Sequence, residues 1–286
     1  GEARHLVPGR SSDGHKGTFG HLLVLAGSTG KCGAAVMTAE AGLRGGAGLV
    51  TLACPANVHP GVAAKVTEVM TVPLDDQEGE ASMPALETLK SLAEGKQALA
   101  IGPGLGVGAE VGSLVRRLMQ ETRQPVVVDA DGLNALVEDL SILGCQPDRE
   151  IVLTPHPGEI SRLSGLTVAD IQNDRFCVAR EFAVQHKVTL VLKGARTLIA
   201  SPNGMVHVNT TGHAGMASGG TGDVLTGLIG SLLAQGLPAV PAATLGVYLH
   251  GLAAERLQPK FGDAGLLASD LIYELPAARQ ALATEG

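Results

Sequence analysis

The chain has 286 residues, 45% hydrophobic and only 17% charged, with a formal net charge of −7, no Trp, 2 Tyr and 4 Phe. The acidic balance and the absence of a basic stretch argue against a nucleic-acid surface, and the scarcity of aromatics argues against base stacking. No apolar run reaches the roughly 18 residues of a membrane span, so no membrane partner is expected. The core must come from Ala, Val, Leu and Ile, which suits helices layered on a sheet. Cys32, Cys54, Cys145 and Cys177 are scattered, with no C-x-x-C pair, and read as reduced thiols of a cytoplasmic protein. The opening GEARHLVPGR does not read as a signal peptide.

Residues 1–16 are polar and read as a surface arm. HLLVLAG (21–27) predicts a buried strand that ends in glycine. A Gly-rich turn follows, then a small-residue helix over 34–43. Strands are predicted at 47–55 and 69–73, an acidic loop at 75–79 and a helix at 85–92. QALAIGPGLG (97–106) reads as strand then Gly loop, with a helix over 111–122. PVVVDADGLNAL (125–136) and EIVLTPHPGEISRLSG (150–165) each read as strand, turn, helix. A helix over 173–187 leads to 188–209, read as a strand, a hairpin turning at Pro202-Asn203-Gly204, and a second strand. Two further helices are predicted at 241–256 and 269–283.

Strands alternate with helices and are continuously apolar, as strands covered on both faces are. The pattern predicts one α/β unit over 1–286 with a mostly parallel sheet and an antiparallel hairpin towards its C-terminal edge. Function then belongs at the carboxyl ends of the strands.

The most informative stretch is NTTGHAGMASGGTGDVLTGLIGSLL (209–233). Its left half carries Gly212, Gly215, Gly219, Gly220 and Gly222; its right half is apolar at helical spacing. Glycines let a backbone approach a ligand closely, and a helix N-terminus attracts phosphate. Asp223 stands at the switch, either as a cap or as a base for a hydroxyl held beside the phosphate. A cap alone does not need five glycines.

Other motifs are weaker. AGSTGK (26–31) fails the P-loop pattern, because Leu25 and Cys32 occupy its Gly and Ser/Thr positions. GPGLGVGA (102–109) is a ligand-facing loop or a plain turn. DADGLN (129–134) offers two carboxylates and Asn134, for metal or acid/base work or as an Asx turn with a cap. TPHPGE (154–159) fixes His156 between two prolines, and Glu159 could reach Mg²⁺ through water. KGART (193–197) could hold nucleotide, or be a solvated charge pair at a hairpin. Together these signals point to phosphoryl transfer from a nucleotide to a small hydroxyl compound.

At this point the residues resemble a known family. KGTFGHLLVLAGS, GLRGGAGLVTLACP, IGPGLG, VVVDADGLNAL, LTPHPGEISRLSG, VLKGARTLI and the 209–233 stretch, in that order, look like the ADP-dependent NAD(P)H-hydrate dehydratases of the ribokinase-like superfamily. The resemblance implies a three-layer αβα fold. It implies nucleotide-dependent dehydration of the S-epimers of hydrated NADH and NADPH, with release of AMP and phosphate when ADP is the donor. Asp223 matches the family's catalytic aspartate and also lines the substrate. Ala34, Gly104, Gly106 and His156 match hydrate-lining positions, and Asn134 is a further candidate. Lys193, Gly194, Ala195, Arg196, Thr197, Gly220, Thr221 and Gly222 match nucleotide positions. Glu159 is the candidate Mg²⁺ ligand, through water, although sugar kinases of this fold carry Asn-x-x-Glu where His156 and Glu159 stand. The resemblance also implies a homotetramer and a companion epimerase, which many members carry as an N-terminal domain. None is recognisable in this sequence, which reads as a stand-alone dehydratase or a fragment. The alternatives are a hydroxyethylthiazole- or pyridoxal-type kinase of the same fold, and a nucleotide sensor without catalysis.

Overall fold

The structure is a computed structural model that describes residues 2–146 and 148–284. Residue 147 and the two ends of the expected 1–286 unit lie outside the described residues. The elements run β1 His21–Leu25, α1 Cys32–Arg44, β2 Leu49–Pro55, α2 His59–Ala63, β3 Met70–Leu74, β4 Asp76–Gln77, β5 Glu80–Ala81, α3 Ala85–Ala93, β6 Ala98–Ile101 and α4 Ala109–Glu121. There follow β7 Val126–Val128, α5 Ala130–Leu136, β8 Ile151–Leu153, α6 Pro157–Ser164, α7 Val168–Asn173 and α8 Arg175–His186. The chain closes with β9 Thr189–Leu192, β10 Leu198–Ala200, β11 Val206–Val208, α9 Thr221–Ala234, α10 Ala239–Phe261 and α11 Ala268–Thr284.

Nine strands form one sheet in the order β11-β10-β9-β8-β7-β6-β1-β2-β3. It is parallel from β3 to β9 and antiparallel from β9 to β11. Helices cover both faces, so the fold is the αβα sandwich expected. The pleat divides the apolar residues between two cores. In β1, Leu22 and Val24 enter the core under α1, α9, α10 and α11, while Leu23 and Leu25 enter the core under α3 to α6 and α8.

α9 is apolar on every side, as a helix buried on every side must be. Its glycines set how close the neighbours come. A Cβ on Gly227 would overlap the Thr38 carbonyl of α1, and one on Gly230 would lie 3.0 Å from Leu22 of β1. A Cβ on Gly246 of α10 would lie 2.7 Å from Ile229 of α9. These contacts hold the α9 N-terminus at the carboxyl edge of the sheet.

Several local expectations change. The acidic loop at 75–79 is a short hairpin of β4 with β5, whose turn places Glu78 and Gly79 at positive φ. Residues 188–209 form two successive hairpins, and KGART is itself the first turn. The helix expected from 173 starts at Arg175, because Asp174 accepts from Cys177 N and caps it. It ends where Lys187 turns left-handed, with φ 55°. At the N-terminus, residues 9–13 are exposed, whereas Ala3, Leu6 and Val7 pack against the helical core.

Candidate functional site

The parallel register aligns Ile101, Val128 and Leu153, and so brings the residues that follow them to one edge. Asp129 N–H donates to the Ile101 carbonyl at 3.0 Å, and Thr154 N–H to the Val128 carbonyl at 3.1 Å. A Cβ on Gly102 would overlap the Asp129 carbonyl, so the strand β6 exit needs glycine there. Lys193 leaves β9 beside them, with its N–H donating to the Pro155 carbonyl at 2.9 Å.

Asp129 is the hub of the site. It is 1% exposed. Its Oδ1 accepts from Lys193 Nζ at 2.7 Å and its Oδ2 from Thr226 Oγ1 of α9 at 2.7 Å. A carboxylate this buried needs partners of this kind. Lys193 Nζ also lies 3.7 Å from Glu159 Oε2. Burial pulls the Lys193 ammonium down, but Asp129 and Glu159 outweigh burial and hold it above its usual range. A Cβ on Gly222 would lie 3.5 Å from Lys193 Nζ and 3.7 Å from Asp129 Oδ2. The ammonium therefore sits directly under the start of α9.

That start is open. Gly220 is the N-cap, with φ 92°, and supplies no side-chain cap. Among the described residues, the N–H groups from Gly219 to Asp223 have no hydrogen-bond partner. Aligned free N–H groups, the helix dipole and an ammonium together make an anion site. Asp223 does not spend its carboxylate on a cap. Burial and the Asp129 charge push its pKa up to about 7, Lys193 opposes them, and Asp131 adds a smaller upward push. A half-ionised carboxylate beside an anion site is suited to take a proton from a hydroxyl at neutral pH.

Asp131, in the first turn of α5, organises the other wall. Its Oδ2 accepts from Lys31 Nζ at 2.9 Å and from Gly106 N–H at 2.9 Å. Asn134 lies 3.4 Å from Asp131 Oδ1 and accepts from Arg162 Nε at 2.9 Å. Gly104, with φ 64°, packs where a Cβ would lie 3.0 Å from Ala34 Cβ, and its carbonyl accepts from Ser28 Oγ at 2.8 Å. Ala34, Gly104, Gly106 and Asn134 thus gather around the Lys31–Asp131 pair. Asp129 makes no side-chain cap on α5, and each carboxylate of DADGLN is paired with a lysine.

His156 caps α6, its Nδ1 accepting from Gly158 N–H at 2.9 Å, and half of its side chain stays exposed. Glu159 completes the capping box, with Oε2 accepting from His156 N–H at 2.7 Å. Its Oε1 lies 3.4 Å from His156 Nε2. Among the described residues, no cluster of three His, Cys, Asp or Glu is placed to hold a metal ion. The 194–196 loop is exposed, and Thr197 Oγ1 donates to the Gly194 carbonyl at 3.0 Å. Thr221 Oγ1 turns away from the anion site and donates to the Met216 and Ser218 carbonyls, each at 3.1 Å. Thr226, Lys31 and Arg175 join this edge without standing out in the sequence. Thr226 sits inside an apolar helical run and reads there as core.

The fold and this edge define a ribokinase-like protein: an αβα sandwich with a helix N-terminus whose amides are open at the sheet edge and an aspartate at its third residue. A family model described as NAD(P)H-hydrate dehydratase matches residues 22–277, and the chain belongs to that family. It is 43% identical over 284 residues to the ADP-dependent (S)-NAD(P)H-hydrate dehydratase of Neisseria meningitidis, covering 96% of this chain and 89% of that protein. It is 45% identical over 274 residues to the bifunctional NAD(P)H-hydrate repair enzyme of Moorella thermoacetica, covering 96% of this chain but 52% of that protein. The chain thus spans about half the length of the bifunctional relatives. The ADP/ATP-dependent NAD(P)H-hydrate dehydratase of Bacillus subtilis, co-crystallised with ATP/Mg²⁺, superposes with a TM-score of 0.85 at 33% identity, covering 98% of this chain and 96% of that one.

Proposed function

We propose that this chain dehydrates the S-epimers of hydrated NADH and NADPH at the expense of a nucleotide, with ADP the donor and AMP and phosphate the products. The observation that carries this reading is Asp223, titrating near neutrality beside the Lys193 ammonium and the unpaired N–H groups that open α9. The ring hydroxyl attacks the terminal phosphorus of the nucleotide. Its proton passes to Asp223, and the bond from phosphorus to the AMP oxygen breaks with its electron pair leaving on AMP. The ring nitrogen's lone pair then expels the phosphate, and the neighbouring carbon loses a proton to solvent, which restores the ring double bond. Lys193 and the amides from Gly220 to Gly222 stabilise charge on the phosphoryl group.

Ala34, Gly104, Gly106, Asn134 and His156 form the hydrate side in this reading, and Lys193 to Thr197 the nucleotide side. Mg²⁺ would enter with the nucleotide phosphates and supply charge neutralisation, with Glu159 Oε1 as the acceptor open to one of its waters. No helix among the described residues is long and apolar enough to cross a membrane. The four free cysteines support a cytoplasmic location. A homotetramer and a separate or fused epimerase complete the reading.

The test follows phosphorus by NMR during reaction with hydrated NADH and ADP. Equal amounts of AMP, free phosphate and NADH support the reading. A phosphorylated product that accumulates without NADH would instead identify a kinase of the same fold.

A further inference from the structure

Arg175, the first residue of α8, lies beneath the 193–197 turn. Its Nη1 donates to the Ala195 carbonyl at 2.7 Å, and its Nη2 to the carbonyls of Leu192 at 3.1 Å and Lys193 at 3.3 Å. Its Nε is buried with no hydrogen-bond partner, and among the described residues it has no carboxylate partner. Burial pulls its pKa down. A half-buried guanidinium with a buried Nε left unpaired and no carboxylate beside it calls for a physical reason.

Peptide planarity supplies one. In a trans peptide the carbonyl and the following N–H point in opposite directions. The Leu192 carbonyl faces Arg175, so the Lys193 N–H points away, and it meets the Pro155 carbonyl at 2.9 Å. By the same geometry the Lys193 and Ala195 carbonyls turn the N–H groups of Gly194 and Arg196 away from the guanidinium. The Gly194 carbonyl is taken by Thr197 Oγ1, which turns the Ala195 N–H away from that hydroxyl. None of the three N–H groups has a partner among the described residues, and 194–196 is exposed. The backbone is held in unusual regions to achieve this. Gly194 has φ 147° and Arg196 φ 56°, and a Cβ at Gly194 would lie 2.9 Å from Arg175 Nη2.

We propose that Arg175 is a positioning residue that presets the Gly194–Arg196 backbone as a cradle for nucleotide phosphate. The guanidinium holds three carbonyls inward, so that free amides face the ligand over its positive charge. Without it the carbonyls can turn outward and repel a phosphate. This inference rests on the nucleotide-dependent function proposed above.

The test measures the binding of ADP and of adenosine by calorimetry to the wild-type chain, Arg175→Met and Arg175→Lys, with circular dichroism to check folding. The expected result is ADP affinity about tenfold or more weaker in Arg175→Met, with adenosine affinity changed less than about twofold. Arg175→Lys, a single point charge without the planar fork, falls between. The nucleotide KM rises in the same order while kcat stays within about twofold. Thr197→Val, which frees the Gly194 carbonyl, weakens ADP in the same selective way and replaces Arg175→Met if that variant does not fold. Unchanged ADP affinity in folded variants, or an equal loss for ADP and adenosine, overturns the proposal while leaving the nucleotide-dependent function standing. A wild-type chain that binds no ADP overturns both.

Discussion

Asp223 is caught between charges of opposite sign. Asp129 faces it from the turn between β7 and α5, Asp131 from the first turn of α5 and Lys193 from the end of β9, with Glu159 of α6 behind the lysine. His250 of α10 is held by burial at about 4, so it is neutral where Asp223 titrates. Asp223→Asn should leave nucleotide affinity within about twofold while turnover falls by about two to four decades; near-normal turnover would remove it from the mechanism. The base form of Asp223 grows as pH rises through about 7, so activity should rise there. Asp129→Asn removes an upward push on Asp223 and releases Lys193 to pair with it. Both effects lower its pKa, so the acid limb of kcat/KM should move to lower pH. A limb that stays in place would separate Asp129 from control of the base. Asp223 and Lys193 were legible in the sequence because each stands where a regular element begins or ends. Thr226 was not, because its partner Asp129 is 97 residues away.

At the level of elements, α9 carries the site and its glycines carry α9. Gly227→Ala would drive a methyl into the Thr38 carbonyl. The expected cost is about 1–3 kcal/mol of overpacking, read as a lower urea midpoint at constant slope. Gly61 of α2 meets nothing within 4 Å, so Gly61→Ala should be neutral or slightly stabilising, since Ala is the better helix former. Equal midpoints for the two variants would contradict the close packing of α9 on α1. Long apolar runs made the central strands and α9 readable. The β4–β5 hairpin, α7 and the turn between β9 and β10 were not, because they are short and polar, and local hydrogen bonds rather than periodicity define them.

At the scale of the whole molecule, seven parallel strands from β3 to β9 point their carboxyl ends to one edge, and the chemistry gathers there. The alternation of strand and helix made this frame legible; the pairing of particular side chains across the edge depends on strand order, which the sequence does not spell out. The buried His250 also couples the fold to pH. Burial lowers its pKa to about 4 from the ordinary 6.5, so the unfolded chain binds more protons between those values and stability gains with pH across that window. His250→Gln lacks this contribution. The stability of the wild type relative to this variant should therefore increase from pH 4.5 to pH 7 in urea melts; a constant difference would show that His250 titrates normally.

Transfer of a phosphoryl group at this edge onto a hydrated nicotinamide ring would restore the dinucleotide. It is tested most directly by the near-ultraviolet absorbance of NADH after the chain is mixed with hydrated NADH, Mg²⁺ and ADP, with ATP in a parallel sample. NADH absorbance should return only when nucleotide is present and be lost in Asp223→Asn. No recovery with either nucleotide, from folded protein that still binds ADP, would contradict it.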